Sequence, residues 1–178
     1  MQPERPSVST RVLELSSEHA SQLRGALGAD ELAAEAFERD VEQDPVRLSA
    51  EVLSVKRVPS DAGVSYGHTY RTSRETTLLL VAIGYGHGVP RKAGNRAEVT
   101  WRDNAGSAHR MPIVGRVAMD VLVVDAGQSP VQIGDRIVLF GDPAAGEIPL
   151  TDWAASIGES PITVIAGLDD RVSREVHA

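Results

Sequence analysis

Apolar positions along the chain fall into two regimes that meet near Pro45. Upstream they recur at helical spacing. Residues 16–27 favour helix, with Ser16 or Ser17 as the cap and Gly28 as the stop. A second helix follows, in which Asp30 is the N-cap, Leu32, Ala33, Ala36, Phe37 and Val41 form one stripe, and Pro45 ends the pattern. Both stripes are narrow, so residues 16–45 are predicted to pack as a helical segment on something larger. Residues 1–15 begin with Pro, Ser and Thr and little to bury, and are predicted to form a flexible N-terminus.

Downstream the period shortens. Residues 46–58 alternate (Leu48, Ala50, Val52, Leu53, Val55) and read as a strand that ends in a turn at 59–63. The run TTLLLVAI at 76–83 is almost continuously apolar and stops at Gly84, which predicts a strand buried on both faces. Residues 97–102 and 108–114 flank a D-N-A-G turn and make a hairpin, 117–124 reads as another core strand, and Gly134-Asp135 turns into the strand RIVLF. Near the end, 150–157 is predicted to be a short helix capped by Thr151 and closed by Gly158, and 163–166 a last strand. Short strands with glycine at the corners and no long helix between them predict a mainly β domain over 46–176, a partly closed barrel or sandwich.

Composition narrows the classes. At 178 residues the chain can bury a real core as one domain. Cysteine is absent, which excludes disulfides, thiolate zinc sites and cysteine nucleophiles. There is no basic, then apolar leader, and no apolar run approaches the ~20 residues that cross a bilayer, so the expectation is a soluble cytoplasmic protein without a membrane partner. A net charge of −7 with scattered arginines argues against nucleic acid as a partner. Gly84, Gly86 and Gly88 imitate a dinucleotide fingerprint, but Pro90 stands where the phosphate-binding helix should begin. The five histidines never recur at ligand spacing, so no metal site is expected.

Candidate chemistry concentrates at 63–120. All three tyrosines (Tyr66, Tyr70, Tyr85) lie there, two of them beside glycine. One reading makes them amphipathic rings that seal the end of a small barrel, with hydroxyls tied to backbone carbonyls. The other makes one of them an acid–base group, which requires a cation to draw its pKa down from about 10; Arg71, Arg91 and Arg116 are in reach by sequence.

In order, VSYGHTYR, a strand, IGYGHGVPR, a hairpin, MPIVGRVAMD, VQIGDRIVLFG, a short helix and LDDRVSR resemble the C-terminal domain of alanine racemase over roughly residues 46–176. The resemblance implies a β-domain that, in the full enzyme, follows a (β/α)8 barrel holding pyridoxal phosphate and meets the barrel of a second subunit in a head-to-tail dimer. It implies that Tyr66 is the proton donor and acceptor on one face of the substrate carbon. By the same likeness Tyr85 and Arg116 line the substrate entrance, and the backbone N–H of Met119, with Asp120 beside it, meets the substrate carboxylate.

The departures from that pattern are specific. The cofactor lysine belongs to the family's barrel, and neither Lys56 nor Lys92 occupies its motif. His87 stands where the family's G-Y-x-D-G motif has an acid, Ser65 replaces the first glycine of V-G-Y-G, and Ile162 falls where a late tyrosine is expected, counting back from Arg171. The expectation is that this polypeptide alone neither holds pyridoxal phosphate nor racemises an amino acid. One reading makes it part of an alanine racemase site, supplying Tyr66 to a separate barrel chain that carries the cofactor. The alternative is a non-catalytic binding module, with residues 12–44 covering the surface a barrel would occupy, or with two copies dimerising through it.

Overall fold

The computed structural model describes residues 10–177 apart from positions 29, 42 and 44. The flexible terminus expected at 1–15 therefore lies largely outside the described residues, but its last part is ordered as a strand. Arg11–Ser16 (β1) places Val12, Leu13 and Leu15 in the core. Ser16 then caps α1 (Ser17–Leu27), its Oγ accepting from the His19 N–H at 3.1 Å, and Gly28 ends it. Asp30 caps α2 (Glu31–Asp40) through the Ala33 N–H at 3.2 Å. From this short helix Phe37 is wholly buried, its ring edge-on to His19 at 5.1 Å.

The long strand β2 (Arg47–Val58) is the axis of the domain. Along one edge it pairs first with β1 and then, past Glu51, with β5 (Thr76–Val81). Its other edge takes β9 (Arg136–Phe140), which pairs in turn with β6 (Glu98–Arg102), the first arm of a hairpin whose second arm is β7 (Ala108–Pro112). An Ile113–Val124 bridge joins the end of that hairpin to β8 (Leu122–Gly127), and β8 pairs back onto β5. These pairings curl the sheet round on itself, with only that isolated bridge across the last gap: the mainly β, partly closed barrel that the alternation and corner glycines predict.

Val52, Leu79, Val81, Val99, Ile113, Leu122, Val124, Ile137 and Leu139 fill its interior. Each large side chain taken out of water there contributes roughly 1.5–3 kcal/mol. Helix α3 (Leu150–Ile157) adds to the core with Trp153, whose ring meets Phe140 at 5.6 Å and whose Nε1–H donates to the Glu98 carbonyl at 3.1 Å.

Several local expectations are corrected. Residues 163–166 are not a strand: Ser160 caps and Pro161 opens a short helix, α4 (Pro161–Ala166). The start signal outweighs the β-branched run Ile-Thr-Val-Ile. Pro149, not Thr151, precedes α3. The strand expected at 117–124 begins only at Leu122, because 116–121 forms a loop whose carbonyls accept from the Tyr85 and Gly86 amides. β5 buries one face only; Leu78 and Leu80 point outward and are half-buried.

The last strand, β10 (Ser173–His177), runs parallel to β1 at the sheet edge with every residue exposed. Two tiny strands, β3 (Gly63–Val64) and β4 (Tyr70–Arg71), make a separate hairpin. Helices α1 and α2 lie against each other, β1, β10 and α4. No helix among the described residues is long and apolar enough to cross a membrane.

Candidate functional site

Two loops and a hairpin turn build the site. Tyr66 sits in the turn between β3 and β4, reached through Ser65, whose φ of 57° and ψ of −174° belong to a region that essentially only glycine occupies. Gly67 follows with φ 78°. The second loop, 84–88, docks on the third, 116–121: the Tyr85 N–H donates to Ala118 O at 2.9 Å and the Gly86 N–H to Met119 O at 2.8 Å. Gly84 is required for this approach, since a Cβ there would lie 2.3 Å from Ala118 O.

Together these segments rim a groove of about 810 Å³. Tyr66, Tyr85, Arg91, Arg116 and Met119 stand around it, and Leu80 of β5, Val123 of β8 and Val121 just before β8 supply an apolar floor. Tyr66 is 89% exposed and Met119 55%. Among the described residues the Tyr66 hydroxyl has no hydrogen-bond partner, and the Met119 N–H has no acceptor. The Arg91 guanidinium lies 3.9 Å from the centre of the Tyr85 ring, a cation–π contact that orients the phenol.

Arg71 is taken by Asp61 at 3.0 Å. Of the three arginines in sequence reach of Tyr66, it is Arg116 that lies against the Tyr66–Gly67 turn: a Cβ on Gly67 would be 3.8 Å from its guanidinium carbon. Arg116 has no ion pair among the described residues.

Asp120 does not line the groove. Its carboxylate lies 3.8 Å from Arg171, which also hydrogen-bonds the Gly86 carbonyl and, at 2.8 Å, Asp169. Arg171 thus ties the two loops to the chain end, a role its distance in sequence conceals. His87 is 3% exposed; its Nδ1 accepts from the Gly84 N–H at 3.1 Å and holds the loop in shape. Burial, then the Arg11 and Arg171 charges, push its pKa below the ordinary histidine value. His68 is exposed and stacks over Gly63, away from the groove. Among the described residues no His, Asp and Glu side chains gather into a group that could hold a metal ion.

This geometry can be set beside known proteins. The family model for the alanine racemase C-terminal domain matches residues 45–176. The chain belongs to the alanine racemase C-terminal domain family. An alanine racemase of Frankia casuarinae is 42% identical over 127 residues, 71% of this chain and 32% of that protein. The crystal structure of alanine racemase from D-cycloserine-producing Streptomyces lavendulae superposes with a TM-score of 0.68 at 37% identity, covering 75% of this chain and 34% of the other. That of the Bartonella henselae alanine racemase, with covalently bound pyridoxal phosphate, superposes at 0.66 with 30% identity, covering 74% and 35%. The chain therefore spans about a third of the length of the relatives it matches.

Within this alanine racemase C-terminal domain no lysine reaches the groove. Lys92 is paired with Glu159 at 2.6 Å, and Lys56 is exposed on β2. The described residues do not fit a Schiff-base site for pyridoxal phosphate. Ile162 packs against the core from α4 and lines none of the groove.

Proposed function

We propose that this domain supplies one wall of an amino-acid racemase site, with Tyr66 as the acid–base group and Arg116, Tyr85 and Met119 around it, to a barrel chain that carries pyridoxal phosphate. The observation that carries the reading is the state of Tyr66. Its ring is almost fully exposed on the rim of an open groove, its hydroxyl is uncommitted, and a free cation stands at its turn. A tyrosine that merely sealed the barrel end would bury its ring and tie its hydroxyl to the backbone.

Against a substrate delivered to this face, the Tyr66 hydroxyl would give or take a proton at Cα, and the free Met119 N–H would meet a carboxylate. The cofactor, held by the barrel lysine, would supply the electron sink that makes the Cα proton labile. The apolar floor of Leu80, Val121 and Val123 extends toward Leu78 and Leu53 as the surface against which the barrel would close.

The direct test mixes the purified chain with a separately produced pyridoxal-phosphate barrel from a relative and measures D-alanine formed from L-alanine. The expected result is activity above that of the barrel alone, falling about 10²- to 10⁴-fold in Tyr66→Phe. Activity no greater than the barrel control overturns the reading. The second reading, a binding module without catalysis, is favoured by Ile162, which packs into the core without a hydroxyl to offer. Barrel binding that persists while Tyr66→Phe changes nothing measurable would select it.

A further inference from the structure

The seam of the barrel holds a second cavity, of about 490 Å³, that shares no lining residue with the Tyr66 groove. It exists because the ring closes weakly at one place. β7 and β8 meet through the Ile113–Val124 bridge and the Val114 N–H to Val123 O bond at 2.9 Å, and β7 otherwise runs as a sheet edge. Arg74 and Arg110 line this opening, and neither guanidinium has an ion pair or hydrogen bond among the described residues.

The one carboxylate in the lining is already committed. Asp125 accepts from the Tyr70 hydroxyl at 3.0 Å, from the Thr76 hydroxyl, and from the Gly127 N–H at 3.0 Å. Burial and that carboxylate hold the Tyr70 phenol above its ordinary pKa, so it stays a neutral donor to Asp125. Glu75, next to Arg74 in the chain, is bound to Arg57 at 2.9 Å. The lining therefore carries two guanidinium groups against the single charge of Asp125, which its neutral donors leave in place, so the cavity has a local excess of one positive charge in a chain whose net charge is −7. The hydroxyls of Ser73 and Ser129 add neutral donors.

We propose that this seam binds an oxyanion of the phosphate class, held between Arg74 and Arg110. Planar guanidinium forks match tetrahedral oxyanions, and charge-assisted hydrogen bonds at a half-enclosed site are stronger than those in open solvent. Neither arginine belongs to the Tyr66 groove, so the seam stands or falls independently of the racemase reading.

The test is a titration of the full chain with inorganic phosphate, and separately with glycerol 3-phosphate, at low ionic strength, followed by ¹H–¹⁵N NMR. Saturable shifts are expected at the amides of Arg110, Met111 and residues 126–129, weakening as sodium chloride is added, with those of 84–88 unmoved. A stronger response to the monoester would identify small phosphorylated compounds as the source, and a stronger response to phosphate the free ion; either supports the class. Arg74→Ala and Arg110→Ala should each weaken binding about tenfold or more. Arg110→Lys should retain part of it, while Lys56→Ala, an equal loss of charge elsewhere, should leave it unchanged.

The proposal is overturned by the absence of saturable shifts up to about 20 mM anion, a range that would capture even millimolar affinity. It is equally overturned by shifts that survive in the well-dispersed spectrum of the Arg74→Ala/Arg110→Ala double variant, or by Lys56→Ala weakening binding as much as either arginine variant.

Discussion

Ser65 holds its backbone at φ 57°, ψ −174°, beside the tyrosine that faces the groove. A side chain in that region costs about 1–3 kcal/mol, which glycine escapes while adding roughly 0.5–1 kcal/mol of backbone entropy to be lost on folding. Relief of the strain outweighs that entropy. Ser65→Gly is therefore expected to stabilise the domain by about 1 kcal/mol, read as a higher urea midpoint at unchanged slope. An unchanged or lower midpoint would show that the serine is not strained there. Nearby, a Cβ on Gly115 would stand 2.7 Å from the Ser65 Oγ, so the two positions are fitted to each other and large replacements at either would displace Tyr66.

At the scale of the element, the 84–88 loop depends on a neutral imidazole. His87 accepts a backbone N–H through Nδ1 while buried, and its folded pKa lies below the 6.5 of the unfolded chain. Below that pH the unfolded state takes up the proton more readily. Its contribution to stability is thus fully present above about 6.5, declines as pH falls through 6.5 toward the lowered folded value, and levels off below it. Thermal melts from pH 8 to pH 5 should show this decline, and His87→Gln, which keeps an acceptor but does not titrate, should flatten it. Equal slopes in both proteins would assign the decline to other groups. The loop also shows why the family's acidic position tolerates a histidine here: the side chain turns inward as a bracket and leaves the groove to its neighbours.

For the molecule as a whole, the N-terminal segment is part of the sheet although the family match begins at residue 45. β1 pairs β2 on one side and β10 on the other, so the first and last of the described strands lie side by side. A charged link reinforces the join: Arg47 on β2 reaches Glu14 on β1 at 2.7 Å and, at 3.0 Å, the Glu147 carboxylate, which also accepts from the Asp142 N–H at 3.0 Å. Glu147 is only 4% exposed, and its removal would leave Arg47 with Glu14 alone and that amide without its acceptor. Breaking a fully buried pair costs about 3–5 kcal/mol; with Arg47 30% open, Glu147→Ala is expected to cost about 2–3 kcal/mol by chemical denaturation. A loss under about 0.5 kcal/mol, the size of an ordinary surface change, would show that the link is ornamental.

Residue order alone was enough for the helices upstream of Pro45, for β2, β5, the hairpin and β9, and for the class of the fold, because caps, corner glycines and alternation act within a few residues of one another. Motif order also marked Tyr66, Tyr85, Arg116 and Met119, and they stand around one groove. β10 was not legible, since its exposed residues carry no alternation and its pairing is purely backbone to a strand at the other end of the chain. Nor could the apolar run of β5 show which face it leaves open, because that depends on which strands curl over it. Asp120 drawn to Arg171, His87 turned inward and the two arginines gathered at the seam are products of closing the ring: each depends on which distant charge or carbonyl arrives beside it.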